Sequence, residues 1–103
     1  MVKFKQWNCE VEFGEYSNGR IAIELVDPEP IAVATVNLPD VVLKDDEVII
    51  KDYSENEGVL DALVEAGYVS KPIDWVRTGF VTCPICKLLK KDQEVSIIFR
   101  IFV

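Results

Sequence analysis

The chain of 103 residues contains no histidine, a single methionine and only three cysteines. Without histidine there is no nucleophile–histidine pair of the kind that hydrolases use. The five glycines are scattered, which excludes a glycine-rich loop that could hold a phosphate. Met1–Lys5 is not followed by the apolar run of a signal peptide, and no stretch approaches the roughly 18 apolar residues of a membrane span. An odd cysteine count fits a secreted disulfide framework poorly. We therefore expect a cytoplasmic, non-enzymatic protein without a cofactor.

The composition is that of one soluble domain. Half of the residues are hydrophobic and a tenth are aromatic, enough for one core spanning residues 1–103. The formal net charge of −7 disfavours direct binding to nucleic acid and to anionic membranes, because both carry negative charge. It favours a protein partner with a basic surface. Solubility alone is the plainer interpretation of the same charge.

Alternating and turn-forming residues predict an antiparallel meander in the first half. Residues 2–13 form the first predicted strand, whose second half alternates apolar and polar side chains. Asn18-Gly19 predicts a two-residue type I′ turn, which leads into a strand over Ile21–Val26. Pro28 and Pro30 end that strand because neither can donate to a ladder. Strands over 31–38 and 47–52 follow.

A helix and further strands are predicted after the meander. Ser54 and Glu57 have the spacing of a capping box, so we expect a helix over 55–66, ended by Gly67. Residues 79–86 predict a strand with Pro84 at an edge or a bulge. Residues 94–103 predict a last strand with an apolar stripe too long to leave in water, which pairs into the sheet or forms a homodimer edge. The stripe consists of Val95, Ile97, Phe99, Ile101 and Val103.

These elements together define the expected fold class. We predict an α+β fold: an antiparallel β-meander with one main helix packed on it and one or two C-terminal strands. Residues 90–103 are either an extra strand of this fold or a tail.

The motif Cys83-Pro84-Ile85-Cys86 suggests a redox or a zinc site, since a CxxC pair can hold one tetrahedral ion. A structural zinc site needs four ligands, however, and Cys9 is the only other cysteine. The motif also lies only 17 residues from the last residue, whereas a glutaredoxin carries it near the start of its fold. In a strand, residues three apart point to opposite faces, so the two sulfurs would not meet. We therefore predict neither zinc nor a disulfide at Cys83, Cys86 and Cys9.

Charge is distributed unevenly along the chain. Residues 27–65 contain eleven acids and two bases, whereas residues 71–103 contain six bases and three acids. Glu57, Asp61 and Glu65 are spaced by four residues, so we predict them on one helix face, where like charges mildly destabilise the helix. We predict that eight acids form one partner-binding surface: Asp45, Asp46, Glu47, Asp52, Glu55, Glu57, Asp61 and Glu65.

Five segments together resemble an uncharacterised family of small acidic proteins carried on conjugative elements and phages of gut bacteria. The resemblance spans roughly residues 4–89, and the segments are Tyr16–Asp27, Thr35–Asp40, Ile50–Gly58, Leu60–Gly67 and Thr78–Val81. It implies a bacterial protein of unknown function and carries no catalytic residues over to this chain.

Three classes of function follow from the sequence. The first is a non-enzymatic acidic interaction protein of a mobile element, an inhibitor or mimic that acts on a nucleic-acid-binding host system of the restriction or CRISPR type. The second is a small redox or zinc module built on Cys83 and Cys86. The third is a small-molecule binding domain, for which no residue is diagnostic. Acidity, the missing catalytic groups and the resemblance favour the first class.

Overall fold

The computed structural model describes residues 1–90 and 101–102. Antiparallel strands dominate it, and one short helix packs against them. The strands are β1 (Val2–Phe4), β2 (Trp7–Tyr16), β3 (Ile21–Val26), β4 (Pro30–Val33), β5 (Glu47–Ile49), β6 (Asp74–Thr78), β7 (Val81–Lys87) and β8 (Ile101–Phe102). A 3-10 helix covers Ser54–Asn56, and α1 covers Val59–Glu65. The broad prediction of an antiparallel meander with a helix is confirmed.

The N-terminal sheet is a meander in the order β1-β2-β3-β4. The predicted strand over 21–26 coincides with β3, and the alternation in β2 buries Cys9 and Val11 while Asn8 and Glu10 are exposed. β8 adds to the sheet by parallel pairing with the end of β2, where Tyr16 lies opposite Phe102. The rest of the predicted strand over 94–103, with Val95, Ile97, Phe99 and Val103, lies outside the described residues.

The structure departs from the sequence prediction at two turns. The predicted strand over 2–13 is two strands, because Lys5 adopts a φ of 54° in a two-residue turn between Phe4 and Trp7. In the β2–β3 hairpin, Gly19 donates to the Tyr16 carbonyl at 2.8 Å and has a φ of 84°. Asn18 does not have a positive φ, so the predicted type I′ turn is wrong. A type I-like turn followed by a left-handed glycine forms instead.

A second, smaller sheet has the order β5-β7-β6. The chain after β4 joins it to the meander: Thr35 forms a bridge with Ile50, and the Lys51 N–H donates to the Ala34 carbonyl at 2.8 Å. Thr35 also bonds Tyr16 Oη at 2.9 Å through its hydroxyl. This buried segment therefore fixes the small sheet against the meander.

Pro84 lies in β7, the central strand of the small sheet, so the predicted edge or bulge position is wrong. Its carbonyl accepts the Ile50 N–H at 2.9 Å. The N–H that proline lacks would face the same side, since both groups of a residue in an antiparallel ladder point one way. β5 ends at Ile49, where Ile50 turns to pair with Thr35. A central proline is tolerated because it faces the end of its neighbouring strand.

The core divides into two clusters on opposite faces of the small sheet. The larger cluster lies between the meander, α1 and one face of that sheet, and includes Ile23, Leu25, Leu63 and Cys86. The smaller cluster lies on the other face, where Ile49, Cys83 and Ile85 pack under the chain of residues 36–43. β7 is therefore covered on both faces from Cys83 to Cys86.

The helix begins later than the sequence predicts. Ser54 has a φ of 54° and makes no side-chain cap, so the capping box of Ser54 and Glu57 does not form. Asp52 takes that role, because its Oδ1 accepts the N–H groups of Gly58 at 2.9 Å and Leu60 at 3.1 Å. Two orphan amides at the start of α1 thereby gain an acceptor.

Candidate functional site

The acids before β5 are partly engaged in the structure. Glu47 Oε1 accepts the Lys44 N–H at 2.8 Å and so closes the turn that leads into the strand. Asp46 Oδ2 lies 3.5 Å from Lys87 Nζ on the neighbouring strand. Asp45 is exposed and has no hydrogen bond or ion pair within residues 1–90 and 101–102. In this group only Asp45 has a carboxylate without a partner among the described residues.

Asp52 and Glu55 also have structural partners. Asp52 caps α1, as described above. Glu55 Oε1 lies 2.8 Å from Lys51 Nζ, and that hydrogen bond lowers the pKa of the Glu55 carboxyl. Lys5 Nζ donates to the Glu55 carbonyl at 2.6 Å and so ties the β1–β2 turn to the 3-10 helix. These two acids therefore stabilise the chain around the start of the helix.

Three acids remain around α1, which we call the acidic helix surface: Glu57, Asp61 and Glu65. All three are exposed, and none of their carboxylates has a hydrogen bond or ion pair with another described residue. Asp61 and Glu65 lie one turn apart on α1. Glu57 precedes the helix with an extended ψ of 128°, so the predicted stack of three on one helix face is wrong.

The eight acids predicted to form one partner-binding surface come from two segments of the chain. In the structure β5 and Ile50 separate the loop that carries Asp45 from the chain that carries Asp52. A fully extended chain from Glu47 to Asp52 would span about 17 Å. The acidic helix surface belongs to the second segment, and the union of all eight acids in one surface stays a prediction.

Each of the acids on α1 makes an unfavourable interaction within the helix. Asp61 and Glu65 carry like charges four residues apart, which is mildly destabilising. Glu65 is also the last helical residue, where the negative end of the helix dipole favours a cation, and α1 has no basic residue in its last turn. Local stability does not explain Glu65, whereas Asp61 lies in the first turn of α1, where an acid is favourable.

The two cysteines of the CxxC motif point to opposite faces of β7. Cys83 belongs to the smaller core cluster and Cys86 to the larger one, and both are fully buried. The geometric reason given against a shared metal or disulfide is therefore confirmed. Burial raises the pKa of the Cys83 thiol, and burial together with the Asp52 charge raises the pKa of Cys86 to about 11. Neither sulfur is placed to act as a thiolate nucleophile.

Cys9 is likewise buried, in the larger cluster. Burial raises the pKa of its thiol, and the nearby Asp27 charge adds to the effect. Within the part of the chain that the structure describes, no three His, Cys, Asp or Glu side chains are grouped to hold a metal ion. The same residues include no helix with the length and apolar character to cross a membrane.

The hairpin of β6 and β7 carries exposed aromatic residues that the sequence interpretation missed. Trp75 on β6 is 55% exposed, and Phe80 at the tip is fully exposed. Gly79 has a φ of 56° and Thr78 pairs with Val81, so Gly79-Phe80 is a two-residue turn with glycine at the position that type II′ requires. Gly79, between two stretches with β-branched residues, was the sequence signal that could have revealed the hairpin.

Comparison with known proteins adds no assignment to this geometry. No family model matches the chain, and neither a curated protein nor a solved structure matches it.

Proposed function

We propose that the protein is a non-enzymatic interaction protein whose acidic helix surface binds a basic surface on a partner protein. The observation that supports it is the difference among the acids. Asp46, Glu47, Asp52 and Glu55 are engaged by described residues, whereas Glu57, Asp61 and Glu65 are exposed and without such partners. Glu65, whose charge opposes the dipole at the end of its own helix, is well suited to a partner that compensates it.

The partner class follows from the charge. A surface of closely spaced carboxylates presents to a basic groove the sign of charge that a nucleic acid presents. We therefore propose a host protein that binds nucleic acid, of the restriction or CRISPR type, as the target. The resemblance to cargo of mobile elements supports the same target class. The cytoplasm is the proposed location because such targets act there.

The geometry gives less support to the redox and zinc alternative. Cys83 and Cys86 lie in different core clusters, and their raised pKa values keep the thiols protonated near neutral pH. A small-molecule site, the third class, has no particular observation in its favour.

A charge-reversal experiment tests the proposal. The variant Glu57→Lys, Asp61→Lys, Glu65→Lys is compared with wild type in affinity capture from extract of the source cell, with proteins identified by mass spectrometry. We expect wild type to capture a nucleic-acid-binding protein, free nucleic acid to displace it, and the variant to lose it at least tenfold. The fold should persist, because exposed substitutions usually change stability by only about 0.5 kcal/mol.

A second triple variant is the matched control. Glu10→Lys, Glu15→Lys, Glu29→Lys reverses three exposed acids on the meander and changes the net charge by the same amount. It should retain the partner. Equal loss of the partner by both variants would show that only total charge matters. Retention of the partner by both variants would show that the acidic helix surface does not bind it. Either result overturns the proposal.

A further inference from the structure

The outer edge of β6 carries backbone groups that no described strand pairs with, at defined positions. β6 is the last strand of the order β5-β7-β6, and no other described strand pairs on its far side. Trp75 lies opposite Pro84, whose carbonyl is directed to Ile50 on the β5 side. That pair is therefore not hydrogen-bonded, and the N–H and C=O of Trp75 point away from β7. By alternation the same holds for Arg77.

The side chains on this edge favour association. Trp75 and Arg77 are two residues apart, so they project from the same face, and both are exposed. An edge strand with free pairing groups and a large exposed aromatic side chain is a template for another strand. Val76, on the other face, packs half-buried against the smaller core cluster and keeps the strand in place.

We propose that β6 pairs with β6 of a second copy of this chain, antiparallel, with Val76 on the twofold axis. A twofold axis between antiparallel strands leaves each residue on its own face of the joint sheet. A residue can therefore lie opposite only a residue of the same parity. With Val76 on the axis, Trp75 lies opposite Arg77 of the second copy, and Asp74 lies opposite its Thr78.

This register uses every outward backbone group of the strand. Trp75 and Arg77 of the second copy exchange both N–H···O=C bonds, and the symmetric pair does the same. The guanidinium of each Arg77 lies beside an indole ring, where a cation–π contact is favourable. No like charges face each other. The self-complementary arrangement argues for a second copy rather than an unrelated strand.

The neighbouring registers are worse. An axis at Arg77 would place the two Arg77 side chains directly opposite each other, which is repulsive. An axis at Trp75 would place Arg77 opposite Ile73, whose N–H already donates to the Ile85 carbonyl at 2.8 Å. Only the axis at Val76 leaves both outward residues with a free partner.

Asp74 opposes the association. Its Oδ1 accepts the Trp75 N–H at 2.8 Å, the group that must bond across the twofold axis. Pairing therefore has to displace this carboxylate, so the association is weakened by a residue of the edge itself. It follows that Asp74→Ala should strengthen the dimer.

Sedimentation of the full chain over a wide concentration range tests the proposal. We expect a reversible monomer–dimer equilibrium for wild type. Arg77→Pro removes one outward N–H without touching the ladder to β7, which suits proline on an edge, and should weaken the dimer at least tenfold. Trp75→Lys should do the same by removing the aromatic contact, and Asp74→Ala should lower the dissociation constant severalfold.

Leu89→Ser is the matched control. It removes another exposed apolar side chain, at the far end of the small sheet, and should leave the equilibrium unchanged. Circular dichroism checks that every variant is folded. In wild type, the Arg77 amide should become protected from hydrogen exchange at concentrations that favour the dimer. A wild-type monomer at all concentrations, or a dimer that both Arg77→Pro and Trp75→Lys leave intact, would overturn the inference.

The dimer does not depend on the acidic helix surface. Reversal of Glu57, Asp61 and Glu65 changes α1 and the residue before it, and leaves β6 untouched. Partner capture and self-association can therefore fail separately.

Discussion

The meander and the small sheet were not equally visible in the sequence. β2 buries Cys9 and Val11 and exposes Glu10 between them, so its alternation indicated a strand. β7 is buried from Cys83 to Cys86 without interruption, because a core cluster covers each of its faces there. Its side chains therefore do not alternate in polarity. The comparison shows that alternation identifies a strand only when one face meets water.

The largest expected effect distinguishes the cores of the two sheets. Ile23→Ala in the larger cluster should lower the free energy of unfolding by about 4 kcal/mol, and Ile49→Ala in the smaller one by about 2 kcal/mol, within the range for buried isoleucine. The loss at Ile49 should be the smaller one because half-buried neighbours can move more readily into the cavity that Ile49→Ala leaves. Urea denaturation of both variants measures the difference, and a larger loss at Ile49 would show that the small sheet holds the main core.

A smaller effect tests the junction between the small sheet and α1. Asp52→Ala removes the acceptor of the Gly58 and Leu60 amides and should cost about 1 kcal/mol. Ser54→Ala is the control for the capping box that the sequence predicted, and should change the free energy of unfolding by less than about 0.5 kcal/mol. Thermal or urea denaturation compares them. A greater loss at Ser54 would contradict the observed cap.

Cys86 contributes a further effect, which appears only at high pH. Burial raises its pKa from 9.0 to about 11, so the folded state holds a proton that the unfolded state releases earlier. The stabilisation from this thiol is complete below pH 9 and is lost as the pH approaches 11. Urea denaturation from pH 8 to pH 11 should show a smaller decline for Cys86→Ala than for wild type. Parallel declines would show that Cys86 does not titrate as described.

Thiol labelling sharpens the same comparison. Because Cys83 and Cys86 are buried on opposite faces of β7, a thiol reagent should modify neither before the protein unfolds. Rapid labelling of one of them in the native state would place that face of the small sheet in contact with water.

Much of the meander could be predicted from local pattern. The bounds of β3 and the position of its hairpin followed from Asn18-Gly19 before the strand and from Pro28 and Pro30 after it. The β1–β2 turn was missed because Lys5 takes a left-handed conformation that its residue type does not indicate. The turn type at Gly19 was also wrong, since Asn-Gly permits more than one hairpin geometry.

The candidate site was predicted less well than the fold. The sequence identified Glu57, Asp61 and Glu65 as charged and close together in the chain, and all three are exposed. It did not separate them from Asp52 or Glu55, because a capping or ion-paired carboxylate has the same residue type as an unengaged one. It also missed Trp75, whose exposure depends on the strand order of the small sheet.

The sequence alone determined the antiparallel meander, the existence of a short helix and the opposite orientation of Cys83 and Cys86. These features depend on the two-residue period of a strand or on interactions between a side chain and the backbone close to it in sequence. Only the tertiary structure decided that Pro84 lies in a central strand, that Asp52 caps α1, and that no described strand pairs with the outer edge of β6. Each of these depends on which distant segment lies beside it. Contacts between residues far apart in sequence leave no local period to detect.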